Sequence, residues 1–106
     1  MESSLALSIN HVLILLAFSS VSMVEKVFET IKIINKSNFN IRNIKKIIFF
    51  PSDRIDIILK NKKKIRFPIN LTIDNLNLSL QLIEDEVFHA SKIIDLRIPN
   101  KVISYD

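Results

Sequence analysis

The stretch NIKKIIFFPSDRIDIILKNKKKIRFP, residues 43 to 68, decides the fold. Successive side chains of an extended chain point to opposite faces. Ile44, Ile48 and Phe50 therefore share one face while Ile47 and Phe49 share the other, the pattern of a central strand covered on both sides. Pro51-Ser52-Asp53 then reads as a turn with proline at its second position. Ile55, Ile57 and Leu59 alternate with Asp56 and Lys60. Beyond a lysine-rich tip, Ile65 and Phe67 alternate with Lys64 and Arg66. This is a two-stranded hairpin. Its Asn61-Lys62 corner lacks the glycine that a two-residue turn prefers, which leaves room for a longer loop.

Upstream, from Ser22, the period changes. Val24, Val27, Phe28, Ile31 and Ile34 recur at three- and four-residue spacing, and Glu25, Glu29, Lys32 and Lys36 take the remaining faces. That spacing predicts an amphipathic helix packed on the sheet. Ser22 with Glu25 forms a capping box at its start, and Lys36-Ser37-Asn38 ends it. Downstream, NLTIDNLNLSLQLIEDEVFHA, residues 70 to 90, fits two templates. Leu76, Leu78, Leu80 and Leu82 alternate as in a strand, whereas Ile73, Leu76, Leu80, Ile83 and Val87 fall on one helical stripe that Leu78 and Leu82 widen. A pattern sustained for about fifteen residues without a turn exceeds an ordinary strand, so a helix capped by Thr72 is expected.

The chain closes with KIIDLRIPNKVISYD, residues 92 to 106. Ile94, Leu96 and Ile98 face one way and Ile93, Asp95 and Arg97 the other, so residues 93 to 98 read as the strand that closes the core. Pro99-Asn100 bends the chain, and Val102 and Ile103 resume an extended run ending at Tyr105. Proline cannot donate to a ladder, which places this bend at the rim of the sheet. The expected fold class is α+β, a mixed or antiparallel sheet with two main helices packed on it.

With 106 residues the chain has room for one core. Isoleucine supplies about a fifth of it, a β-branched bias that favours strands. Glycine is absent, so left-handed backbone positions fall to asparagine or aspartate, with Asn38, Asn61 and Asn100 as candidates. Without cysteine there is no disulfide, thiol nucleophile or thiolate metal site. The net charge of +4, densest at Lys62-Lys63-Lys64, mildly favours anionic neighbours, although a solvated hairpin tip accounts for that run. Residues 1 to 22 form an unassigned apolar segment ahead of a domain spanning 23 to 106. Its uncharged run at residues 12 to 18 is too short to cross a bilayer and lacks the preceding positive charge of a cleaved signal. A buried strand or helix end is the plainer reading.

No catalytic constellation assembles. His11 and His89 have no partner set. Glu84-Asp85-Glu86 with His89 resembles half of a carboxylate-bridged metal site whose other half is missing. Every phosphate-cradling loop needs glycine. Phe49, Phe50 and Phe67 read as core rather than as a platform for bases. The chain therefore reads as a non-enzyme with no cofactor or metal.

The order of elements from Val24 onward resembles the C-terminal β domain of the bacterial cell-division FtsQ (DivIB) family. In that family a hairpin of the type R-W-D-(x)-x-L-K-N-G-x-x-x-x-L-P precedes a helix and then an I-D-L-R-x-P-N strand. Here the matching residues are Arg54-Ile55-Asp56, Leu59-Lys60-Asn61, Phe67-Pro68 and Ile94-Asp95-Leu96-Arg97-Ile98-Pro99-Asn100. Ile55 replaces the usual tryptophan and Lys62 the usual glycine; the family's transmembrane helix and polypeptide-transport-associated (POTRA) domain have no counterpart among these residues. The resemblance implies a non-enzymatic divisome scaffold at the periplasmic face of the inner membrane that binds FtsB and FtsL by strand addition during septum assembly. The implied partner-binding residues are Ile98, Asn100, Lys101, Val102, Ile103 and Ser104 on the closing segment, and separately Arg54, next to the hairpin's aromatic position. The alternative is a small basic domain that binds nucleic acid or an anionic surface.

Overall fold

A computed structural model describes the backbone of residues 5 to 16 and 21 to 106, with side chains from 6 to 16 and 23 to 106. β1 (Leu5–Ile9), β2 (Val12–Leu16), β3 (Ile44–Phe50), β4 (Arg54–Leu59), β5 (Lys64–Pro68), β6 (Ile93–Asp95) and β7 (Ile103–Tyr105) lie side by side in chain order in one sheet. α1 (Val21–Lys36) connects β2 to β3, and α2 (Ile73–Glu84) connects β5 to β6; these two pairs are parallel and the other four antiparallel. The sheet is thus two ββαββ units that share β4, and the expected α+β class with two helices is the one observed. Both crossovers step the same way along the sheet. Right-handed connections therefore set both helices on the same face.

That face holds the core. Ile14, Ile47, Ile57, Ile65 and Ile94 stand in register across five strands, and Leu16, Phe49, Ile55 and Phe67 form the adjacent row, all of them buried. Val27, Ile31 and Ile34 of α1 and Leu76 of α2 close over them. The helices are tied where α1 ends, the Asn38 N–H donating to Asn77 Oδ1 at 2.9 Å. As expected, Thr72 caps α2, its hydroxyl accepting from the Asn75 N–H at 3.1 Å.

Several residues read as core are not. β3 carries a bulge between Ile44 and Lys46, which brings Ile44 to the helix side with Ile47 and Phe49 and leaves Ile48 and Phe50 half-buried on an uncovered face. The strand is covered on one side only. Phe28, at the shoulder of the α1 stripe, is 58% exposed. On α2, Ile73 and Leu78 remain exposed, and Val87 lies beyond the helix end in a short 3-10 turn. Ile98 is 48% exposed, because β6 stops at Asp95 and the alternation read through residue 98 outruns the strand.

The N-terminal apolar segment supplies a hairpin of the same sheet. β1 and β2 meet at Asn10 (φ 52°) and His11 (φ 65°), both left-handed as a two-residue turn matched to strand twist requires. Residues 1 to 4 and 17 to 20 lie outside the described residues, as does the side chain of Ser22, whose backbone is already helical, since α1 begins at Val21, one residue ahead of the expected cap. Of the three asparagines expected in the left-handed region only Asn100 is there (φ 63°); Asp53 and Lys62 take the other two loop positions. Each ends a three-residue loop, Pro51-Ser52-Asp53 or Lys60-Asn61-Lys62, in which a type I turn is followed by a left-handed residue. Asn61 serves instead through its side chain, accepting from the Lys63 N–H at 3.0 Å.

Lys62 (φ 74°) thus holds a conformation that costs a residue with a Cβ roughly 1–2 kcal/mol. Lys62→Gly removes that strain and adds roughly 0.5–1 kcal/mol of unfolded-state entropy. The expected net gain is about 0.5–1 kcal/mol, read as a higher urea midpoint with an unchanged slope.

Candidate partner-binding edge

Two short motifs mirror each other on neighbouring parts of the sheet, Arg54-Ile55-Asp56 and Asp95-Leu96-Arg97. On β4 residues two apart share a face, which sets Arg54 beside Asp56. Just past β6 the Arg97 N–H donates to Asp95 Oδ1 in a turn that brings the Arg97 side chain to the same carboxylate. Register then joins them. Asp56 stands opposite Arg66, Arg66 opposite Asp95, and Asp95 opposite Ile103, forming an ionic row across the uncovered face that ends on β7.

Asp95 is the centre of this row. Its Oδ1 accepts from the Arg97 N–H at 3.0 Å and from Arg97 Nε at 2.9 Å, Oδ2 accepts from Arg97 Nη2 at 2.7 Å, and Arg66 Nη1 lies 3.8 Å from Oδ2. Burial alone would raise the Asp95 pKa. The hydrogen bonds from Arg97 and the charges of Arg97 and Arg66 outweigh it and hold the carboxyl below its ordinary 3.8. Asp56 is the opposite case. It is fully buried, with Arg54 Nε 3.0 Å from Oδ1 but off-axis, and Nη2 3.4 Å from Oδ2. Burial dominates and pushes its pKa above 3.8, against the pull of Arg54, Lys64 and Arg66. Arg54 in turn stacks over the Phe50 ring at 4.1 Å.

These shifts have opposite consequences for stability. A lowered folded pKa gives Asp95 a stabilising contribution that is present above pH 3.8 and lost as the pH falls below it. A raised one gives Asp56 a contribution that is full below pH 3.8 and lost as the pH rises through the folded pKa. In urea titrations the stability of the wild type relative to Asp56→Asn is therefore expected to decline from pH 3.8 upward and then level off. A flat difference across that window contradicts the assignment.

The bend after β6 follows from the same side chain. By taking the Arg97 N–H, the Asp95 carboxylate turns the chain off the ladder. Residues 98 to 101 form a β-turn closed by the Lys101 N–H on Ile98 O at 3.2 Å, with Pro99 and left-handed Asn100 at its centre, a type II arrangement. The chain then runs back along β6 as β7, and the Arg66 guanidinium lies 5.7 Å from the Tyr105 ring. The Tyr105 carbonyl accepts from the Lys92 N–H at 2.8 Å; strand alternation therefore turns the Ser104 backbone outward.

The residues implied for partner binding divide by position. Ile103 and Ser104 lie on β7; Ile98, Asn100, Lys101 and Val102 lie in the turn and approach to it, exposed. Arg54 is three strands away on β4 and reaches this edge only through Asp56, Arg66 and Asp95. Beside the turn, Leu78, Leu96, Ile98 and Val102 line a groove of about 200 Å³ between α2 and the closing segment. Sequence reading missed this groove, whose only signal was the stretch of four alternating leucines on α2. The described residues include no group of three or more His, Asp or Glu able to hold a metal, and no helix long and apolar enough to cross a membrane. No family model matches the chain, and no curated protein matches it significantly.

Proposed function

We propose that the chain is a non-catalytic binding module that takes up an extended segment of a partner protein as a further strand beside β7. The observation that carries this reading is an open edge: β7 pairs with β6 on one side and, among the described residues, with nothing on the other. An added strand of about six residues makes about as many backbone hydrogen bonds, each worth roughly 1 kcal/mol net, and ordering the incoming peptide consumes much of that. The groove of Leu78, Leu96, Ile98 and Val102 offers the side-chain pocket that supplies the remainder.

The likeness to the FtsQ (DivIB) β domain names the partner class. It makes the module a cell-division scaffold at the periplasmic face of the inner membrane, and the incoming strand a segment of FtsB in company with FtsL. Lys62 supports the likeness physically. It stands where the family has glycine, and its backbone is in the region that glycine enters most readily.

Ser104→Pro tests the reading, since it deletes the outward-facing donor while leaving the Tyr105 carbonyl its bond to Lys92. An FtsB-like peptide is expected to lose at least tenfold in affinity for this variant, with an unchanged far-UV circular dichroism spectrum. Equal affinity for both proteins sinks the proposal. A second reading rests on the uncovered face, where Lys46 and Lys64 add to the arginines and the buried Arg66 Nε has no acceptor among the described residues. There the ligand is a nucleic acid or another anionic surface. Oligonucleotide affinity then falls steeply with salt and ignores Ser104→Pro, whereas strand addition depends weakly on salt.

A further inference from the structure

The sheet has a second open edge, at the end away from β7. β1 pairs with β2, and among the described residues nothing lies beyond it. Exposed edges are ordinarily blunted by lysine, proline or a bulge. The β1–β2 hairpin has none of these: between Glu2 and Glu25 no residue is charged or proline, and its register runs unbroken from Leu5–Leu16 to Ile9–Val12. The other edge has Pro99 and Lys101 ahead of its strand of three residues and Asp106 after it, all outside β7 itself.

Two further features single out the occupant. Leu7 and Ile9 are half-buried at the rim of the core, with apolar surface left to cover, while Ala6 and Ser8 on the opposite face are small and exposed. The residue types of β1 also read alike in both directions, apolar at 5, 7 and 9 and small at 6 and 8. An antiparallel pairing of β1 with itself, centred on Leu7, sets Leu7 opposite Leu7 and Ala6 opposite Ser8. Charge allows it, because two copies of net charge +4 repel least where each presents an uncharged strand.

We propose that a second copy of this chain pairs here, β1 to β1 across a two-fold axis perpendicular to the sheet. The two sheets become continuous, the helices of both copies lie on one face, and the exposed rims at Leu7 and Ile9 cover each other. A five-residue edge contact is small, so the dimer dissociates on dilution.

The full chain tests this by sedimentation over a concentration series. A monomer–dimer equilibrium is expected for the wild type and for Ser104→Pro, and a monomer for Ser8→Lys, whose two added charges, each facing Ala6 of the other copy, stand diagonally across the edge on one face and repel. The chain has no cysteine, so a mixture of Ala6→Cys and Ser8→Cys proteins is expected to form the mixed disulfide in preference to either homodimer. That pattern decides the matter if Ser8→Lys fails to fold. A wild type that stays monomeric at every concentration, a dimer indifferent to Ser8→Lys, a dimer abolished by Ser104→Pro, or no preference for the mixed disulfide each overturns the proposal. Peptide binding at β7 is expected to be the same in Ser8→Lys, which separates this edge from the other.

Discussion

Phe67→Ala is expected to lower the free energy of unfolding by about 4 kcal/mol, because it empties a fully buried site beside Ile55 in the second core row. Its neighbours sit on strands locked from both sides, so the cavity collapses only partly. Domains of this size are stable by roughly 5–15 kcal/mol in total, and a loss of 4 leaves a readily measured unfolded population at moderate urea. Phe28→Ala is the internal control. That ring is mostly exposed, and its removal shifts the midpoint by less than about 0.5 kcal/mol. Equal losses for the two phenylalanines contradict a core confined to the helix side of the sheet.

Asp95→Ala is the second large effect, and it joins stability to function. The carboxylate is almost fully buried, and its loss strips Arg97 of three side-chain contacts and Arg66 of its nearest charge on β6. Breaking one side of a buried pair costs about 3–5 kcal/mol. Arg97 keeps much of its hydration here, so about 2–3 kcal/mol is expected. Asp95→Asn keeps an oxygen for the Arg97 N–H and should lose about half as much, with the turn intact. Since Asp95 both ends β6 and faces Ile103, the alanine variant is expected to speed amide exchange across residues 103 to 105 and weaken peptide capture at β7 beyond its effect on global stability. Exchange at β7 that tracks only the global change contradicts the coupling between the ionic row and the edge.

Both effects trace to patterns partly visible in the chain. Alternation of Ile55, Ile57 and Leu59 and of Ile65 and Phe67 identified the inward residues of β4 and β5, and the length of the leucine-rich run separated α2 from a strand. Arg54-Ile55-Asp56 and Asp95-Leu96-Arg97 were legible as same-face charge pairs. Their union was not, because the link from Asp56 through Arg66 to Asp95 crosses strands whose register is set by a hairpin loop and by the α2 crossover. Ile44 and Ile98 were misplaced for the same reason: a bulge and a side-chain hydrogen bond each interrupt a period that a linear reading carries straight on.

What the sequence determined by itself is therefore local: strand periods, the Thr72 cap, the bend at Pro99-Asn100, and the demand that non-glycine residues occupy the left-handed turns. Which face was covered, that β1 formed the second rim opposite the closing strand, and which charges met across the sheet were decided by tertiary structure. Periodicity fixes where a side chain points relative to its neighbours along the chain. Handed crossovers and strand register fix what it meets, and those are properties of the assembled sheet.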